Sequence, residues 1–143
     1  MKPEYFDMKS AGWDDEKKGE RAKIVYTRMA DFIKPEPAKK ILDFGSGTGL
    51  LGFNFIEDFG EVHFADTSAG MLRKAAAKAQ ALQVENYKTI LLPEEGLCSA
   101  PLAMYKAVVT LLAFHHVENI RTTLNLLAAH TEVGGCLAVS DLD

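Results

Sequence analysis

Cysteine is scarce in this chain of 143 residues: Cys98 and Cys136 are its two, far apart and without metal-ligand spacing. That argues against a disulfide framework and a cysteine zinc site, and it leaves the expectation of two reduced, buried thiols in a cytoplasmic protein. Long hydrophobic runs are missing as well. The stretch from Ala107 to Phe114, interrupted by Thr110, is far short of the roughly 20 apolar residues of a membrane-spanning helix. The N-terminal Met1-Lys2-Pro3-Glu4-Tyr5-Phe6-Asp7 lacks the apolar core of a signal peptide. Positive charge is not in excess: 16 Lys and Arg stand against 20 Asp and Glu, a formal charge of −4. No nucleic-acid partner is therefore expected, because backbone phosphates are met by clustered Lys and Arg. Lys17, Lys18 and Arg21 alternate with Asp14, Asp15, Glu16 and Glu20, which reads as a solvated helix face of mixed sign. Repeats and low-complexity linkers are absent too. What remains is 48% apolar and 25% charged, the balance of one soluble globular domain.

The apolar pattern places the elements. Ala22, Val25, Met29, Phe32 and Ile33 recur at helical spacing, and Pro35 and Pro37 stop that helix. Ile41-Leu42-Asp43-Phe44 is a buried strand that runs into glycines, and Leu50 to Ile56 reads as a short apolar helix. Val62 to Ala65 is a second strand ending at Asp66. Thr67 or Ser68 caps the next helix, whose buried stripe is Met71, Leu72, Ala75, Ala79 and Leu82. Tyr87 to Leu91 is a third strand, Pro93 to Pro101 a loop or a turn of helix, and Ala107 to Leu112 a strand apolar enough to lie at the centre of a parallel sheet. A helix from about Asn119 carries Ile120, Leu124, Leu127 and Ala128. Gly134-Gly135 then turns the chain into a fifth strand, Cys136 to Val139. Strand and helix alternate throughout, so the expected fold class is α/β: a doubly wound parallel sheet with helices on both faces, three layers in all.

Chemistry is expected at the carboxyl end of the first strand, where such sheets bind ligands. Gly45, Gly47 and Gly49 remove the side chains that would hold a ligand away from the backbone and permit positive φ. A helix starting near Gly49 would aim its amides into the turn. Gly47 to Gly52 also fits the dinucleotide pattern G-x-G-x-x-G, which is weak evidence by itself. Asp43, inside the first strand, is costly there unless it bonds the loop amides or faces a ligand's ammonium group. Asp66, at the tip of the second strand, is placed to take two ribose hydroxyls, or else to cap the helix beside Thr67.

Ile41-Leu42-Asp43-Phe44-Gly45-Ser46-Gly47-Thr48-Gly49 resembles the first motif of class I S-adenosylmethionine-dependent methyltransferases. Asp66-Thr67-Ser68-Ala69-Gly70-Met71-Leu72 resembles the family's second segment. Ala113-Phe114-His115-His116-Val117 is similar to the paired-histidine segment of the subgroup that methylates small molecules, quinone-type enzymes included. Phe6-Asp7 with Ala11 to Asp14 is similar to a lead-in of some members. The resemblance implies S-adenosylmethionine as cofactor, held by Asp43, Gly45, Ser46, Gly47, Thr48, Gly49, Asp66, Thr67, Met71, Leu92 and Leu111, with Met71 against the adenine. It implies a small-molecule acceptor, with His115 and His116 as candidate bases.

Residues 1–36 are then a helical lead-in and 37–143 a Rossmann-like core. The chain departs from the family where Ile90-Leu91-Leu92-Pro93-Glu94-Glu95 replaces the usual adenine-binding Asp, leaving Glu94, Glu95 or the backbone around Leu92 as alternatives for that role, where Lys106 replaces the Asp before the fourth strand, and in its length. Its end at Asp143 suggests a truncated domain lacking the last two of seven strands. The fifth strand would then be an edge that a second copy or a partner chain covers. Two other functions fit less of the sequence: a nicotinamide-dependent oxidoreductase, and a non-catalytic cofactor-binding or partner subunit.

Overall fold

The computed structural model describes residues 16–94, 97–111 and 119–140. Helix α1 (Glu16–Met29) leads into strand β1 (Glu36–Phe44). A 3₁₀ turn (Gly52–Phe55), strand β2 (Phe59–Asp66), helix α2 (Ala69–Ala81) and strand β3 (Tyr87–Leu91) follow. A second 3₁₀ turn (Leu97–Ser99), strand β4 (Tyr105–Leu111), helix α3 (Ile120–Ala129) and strand β5 (Thr131–Ser140) complete the described chain. The sheet order is β3-β2-β1-β4-β5 with every pairing parallel. Winding reverses between β1 and β4, which makes the carboxyl ends of those two strands the expected crevice.

Both faces of the sheet are covered. On one, Met29 of α1, Phe55 of the first 3₁₀ turn and Leu72 of α2 pack over Ile41, Phe64 and Val109. On the other, Leu124 and Leu127 of α3, with Leu97 and Leu102, pack over Leu42, Phe44, Ala65 and Val108. Each of the larger side chains contributes about 1.5–3 kcal/mol by leaving water. The expected doubly wound, three-layer α/β fold is thus present.

Local expectations need several corrections. The apolar run after Gly49 forms a four-residue 3₁₀ turn rather than an α-helix, because its bulky groups are drawn separately into the core, Leu51 and Phe55 both being buried. Strand β1 starts at Glu36 and includes Pro37, which is tolerated because pairing with β2 is irregular between Glu36 and Lys40. Gly134 and Gly135 lie inside β5, not before it. Gly134 has φ 79, and the ladder to β4 is irregular between Tyr105 and Ala107, so the pair makes a bulge rather than a turn. Phe32 lies past the end of α1 and is exposed, as are Leu82 past the end of α2, and Ile120 on the first turn of α3. Ala128 is exposed too. Cys98 is exposed and Cys136 half-buried, so neither is the fully buried thiol expected.

Helix α2 starts where the sequence places it: the Ser68 side chain accepts a hydrogen bond from the Met71 amide. It ends on Gln83 at φ 57, with the Val84 amide donating to Ala79 O at 2.8 Å, a Schellman closure without its usual glycine. Among the described residues no helix is long and apolar enough to cross a membrane.

Candidate functional site

The carboxyl ends of β1, β2 and β4 meet around the turn from Gly45 to Gly49. Register places Asp43 beside Phe64 of β2 and Val109 of β4, with Asp66 and Leu111 ending their strands on the same edge. Gly45, Gly47 and Gly49 take φ values of 70, 56 and 90, a left-handed run that side-chain-bearing residues adopt only with strain. Backbone bonds tie the turn down: the Gly45 and Ser46 amides donate to Ala65 O at 2.8 and 3.0 Å, and the Gly49 amide to Ser46 O at 2.9 Å.

Two acidic side chains fix the rest. Asp66 Oδ2 accepts from the Gly47 amide at 2.7 Å, and its Oδ1 from the Ser68 amide at 3.0 Å. Asp66 therefore joins the glycine turn of β1 to the start of α2, while the cap of that helix is Ser68. Asp43 is 2% exposed and its Oδ2 accepts from the Gly52 amide at 2.9 Å. The amide that sequence reasoning offered to a ligand as part of a helix N-terminus is thus already engaged by the protein. Burial pushes the Asp43 carboxyl up to about 7; the Gly52 amide pulls the other way, and the charge of Asp66 adds to the rise.

Gly52, which the sequence marked as the end of a dinucleotide pattern, packs against Asp43. A Cβ there would lie 2.5 Å from Phe64 Cε1 and 2.7 Å from Asp43 Oδ2. It matched the G-x-G-x-x-G pattern, but its role is to let Asp43 and the aromatic floor approach the backbone. Phe53 and Phe64 form that floor, with ring centroids 4.8 Å apart.

The other expected residues fall as follows. Ser46 and Thr48 lie in the turn; Thr48 is buried and receives the Lys78 ammonium at 3.4 Å. Thr67, Met71 and Leu92 are buried; Thr67 follows Asp66 in the chain, and the Leu92 amide donates to Asp66 O at 2.7 Å. Met71 is 1% exposed. Leu111 ends β4 half-buried. Glu94 is exposed, while Glu95, His115, His116 and the lead-in residues 1–15 lie outside the described residues. Among the described residues no cluster of His, Cys, Asp and Glu could hold a metal ion.

The chain is similar to known proteins in sequence and in fold. The family described as "Methyltransferase domain" matches residues 42–137. An uncharacterized methyltransferase of Mycobacterium tuberculosis is 31% identical over 118 residues, which span 82% of this chain and 58% of that protein. The chain therefore covers well under two thirds of the length of that relative. Among solved structures, DhpI in complex with SAM and HEP superposes with a TM-score of 0.75 at 17% identity, covering 97% of this chain and 63% of its own. A methyltransferase in complex with the Haloferax volcanii Trm112 methyltransferase activator gives 0.76 at 20% identity, covering 92% of this chain and 58% of its own. At such identities these likenesses speak for the fold alone.

Proposed function

Because this chain belongs to the methyltransferase domain family, we propose that it binds S-adenosylmethionine on the turn from Gly45 to Gly49 and serves methyl transfer to a small-molecule acceptor. The observation that carries the reading is the left-handed run of Gly45, Gly47 and Gly49 laid between two buried carboxylates, Asp43 and Asp66. The run gives a ligand close access to backbone. The two acids suit a ligand that presents hydroxyls and a positive charge. A pyrophosphate would bring like charge to Asp66 and oppose ionisation of Asp43, which weighs against a dinucleotide.

Bound cofactor supplies an activated methyl group on a sulfonium. The chain's part is to hold and orient. Asp66, at the tip of β2, is the residue we assign to the ribose hydroxyls, since it already lies within reach of the turn's backbone. Thr67, Met71 and Leu92, all buried, are the residues we assign to the apolar side of the cofactor. Alignment of acceptor, methyl and sulfur then provides much of the rate. His115 and His116, just beyond β4 in the sequence, are the candidates to take a proton from an oxygen or carbon acceptor. The acidic balance of the chain, without basic clustering, favours a small acceptor over nucleic acid.

Calorimetric titration with S-adenosylmethionine and with NAD tests the cofactor. One-site binding of the first without response to the second is expected, and the reverse result would refute the reading. Mass-spectrometric detection of a transferred methyl group across a panel of small phenols, amines and quinols tests turnover. A second reading, in which transfer requires an additional subunit, draws on the solved relative that is held by an activator protein. Binding without transfer by this chain, and transfer on adding the missing partner, would support that second reading.

A further inference from the structure

The Asp43 carboxyl is an unusual object in a protein interior. It is 2% exposed, and it stands in the central strand between Phe64 and Val109, neither ionisable. Among the described residues the Gly52 amide is its hydrogen-bond partner, at Oδ2. One amide is far less than an ionised carboxylate loses on leaving water, since such groups usually keep several charge-assisted bonds or a counter-ion. Among the described residues the charged groups facing the turn do not supply one. Asp66, on β2, is of the same sign and raises the cost of a second negative charge. Lys78, on α2, reaches the far side of the turn at Thr48 Oγ1, 3.4 Å away, and does not contribute to the shift at Asp43. In the absence of ligand, the arrangement favours the neutral acid.

The proposed cofactor changes that balance. S-adenosylmethionine carries an ammonium, a carboxylate and a sulfonium, a net charge of +1 at neutral pH. Cationic groups arriving at this turn stabilise the carboxylate form of whichever acid has no cation of its own. We propose that Asp43 holds its proton in the empty site and releases it when S-adenosylmethionine binds, so that cofactor capture and proton release are one event. This rests on the functional reading above and adds a protonation step to it. The balance is simple: the neutral carboxylic acid loses one proton to solvent, its O–H bond breaks, and the resulting carboxylate remains facing the ligand's positive charge. The Gly52 bond persists in both forms, because Oδ2 can accept whether or not Oδ1 carries the proton.

A group that must ionise on binding makes affinity depend on pH in one direction only. Below its free-state value of about 7 each unit of pH costs the complex a factor approaching ten. Well above that value the dependence vanishes. Kd for S-adenosylmethionine is therefore expected to be about tenfold weaker at pH 6 than at pH 8. Titrations at pH 7 in buffers of different ionisation enthalpy are expected to show release of roughly half a proton per site.

Asp43→Asn keeps an oxygen for the Gly52 amide and cannot titrate, so it is expected to bind with a flat pH profile and no proton release. The same slope in Asp43→Asn would overturn the proposal, as would buffer-independent heats for the unaltered chain. Carbon-13 titration of the Asp43 carboxyl in the free protein decides independently of any binding. A midpoint near neutrality supports the proposal, and one in the ordinary carboxylate range near 4 overturns it. A chain that binds no S-adenosylmethionine at any pH refutes the functional reading, whereas binding that is flat across pH refutes the proton exchange alone.

Discussion

Replacing Tyr105 by Phe probes a polar network that crosses the sheet at the end opposite the glycine turn. Tyr105 is fully buried at the start of β4. Its hydroxyl accepts from the Ala103 amide at 3.1 Å and lies 2.7 Å from His63 Nδ1. His63 is 4% exposed and its Nε2 bonds Glu61 Oε1. The arrangement that satisfies every atom has Nε2–H donating to the carboxylate and the phenol donating to Nδ1. Burial lowers the His63 pKa, and the Glu61 bond, which raises it, does not prevail, in keeping with a neutral ring. Phe keeps the ring packing and strands the buried His63 Nδ1, at about 1–3 kcal/mol, and the half-buried Ala103 N–H, at less. A loss of about 2–4 kcal/mol is expected, and a fall in Tm on the order of 10 °C.

The sign of the pH dependence follows from the lowered His63 value. Its contribution is present above the unfolded value near 6.5 and is lost as pH falls through the folded one. Asp43, with its pKa raised, works in the opposite direction, so the difference between variant and parent is the quantity to read. That difference, from urea unfolding, is expected to shrink between pH 7.5 and 5.5, because the imidazole freed from the phenol protonates more easily. A loss under about 0.5 kcal/mol, or a difference constant across that range, would refute the network as drawn.

Other perturbations have equally definite outcomes. Gly52→Ala forces a methyl group into contact with Phe64 and Asp43, so S-adenosylmethionine affinity measured by calorimetry is expected to fall at least tenfold while the circular dichroism spectrum is kept. Asp66→Ala removes the acceptor of the Gly47 and Ser68 amides; binding is expected to be lost and stability to drop by about 1–3 kcal/mol in urea unfolding. Asp43→Asn is expected to stabilise the ligand-free protein by up to a few kcal/mol at pH 8 and little at pH 4, because a raised carboxyl value costs stability as pH climbs from the unfolded value through about 7; thermal melts at the two pH values check it. Gln83→Gly relieves a left-handed residue at the end of α2 and is expected to gain about 0.5–1 kcal/mol in the same assay.

The layered fold was legible because its evidence is additive. The run from Ala107 to Leu112 reads as a covered strand, seen over the described residues to Leu111, and Thr67 or Ser68 followed by the stripe Met71, Leu72, Ala75, Ala79 and Leu82 reads as a capped amphipathic helix; Ser68 is the cap and the first four of the stripe are buried, while Leu82 lies past the helix end and is exposed. Element ends were less legible, because tertiary geometry decides them. Gly134-Gly135 reads as a turn on local chemistry, yet a Cβ on Gly135 would lie 2.6 Å from Lys106 O, so the neighbouring strand makes the pair a bulge. The network of Glu61, His63 and Tyr105 was invisible for a related reason. Its members lie on β2 and β4, with β1 between them, and no sequence spacing signals that meeting. Asp43, Asp66 and the three glycines were legible because their chemistry is out of place in a strand end unless something binds there.

The structure also alters what the legible residues mean. Read from sequence, Asp66 is a ligand group awaiting two hydroxyls; folded, both of its oxygens already hold backbone amides of the turn and of α2. Read from sequence, the amides after Gly49 point at a ligand; folded, that of Gly52 is held by Asp43. The acids that would meet a cofactor are therefore the same groups that shape the turn to receive it. Under the proposed function this lowers the cost of ordering the loop at the moment of binding, since its left-handed glycines are fixed beforehand. It also means that substituting either acid tests two things at once. The separation between them comes from Asp43→Asn, which leaves an acceptor for the Gly52 amide and removes the ionisable group.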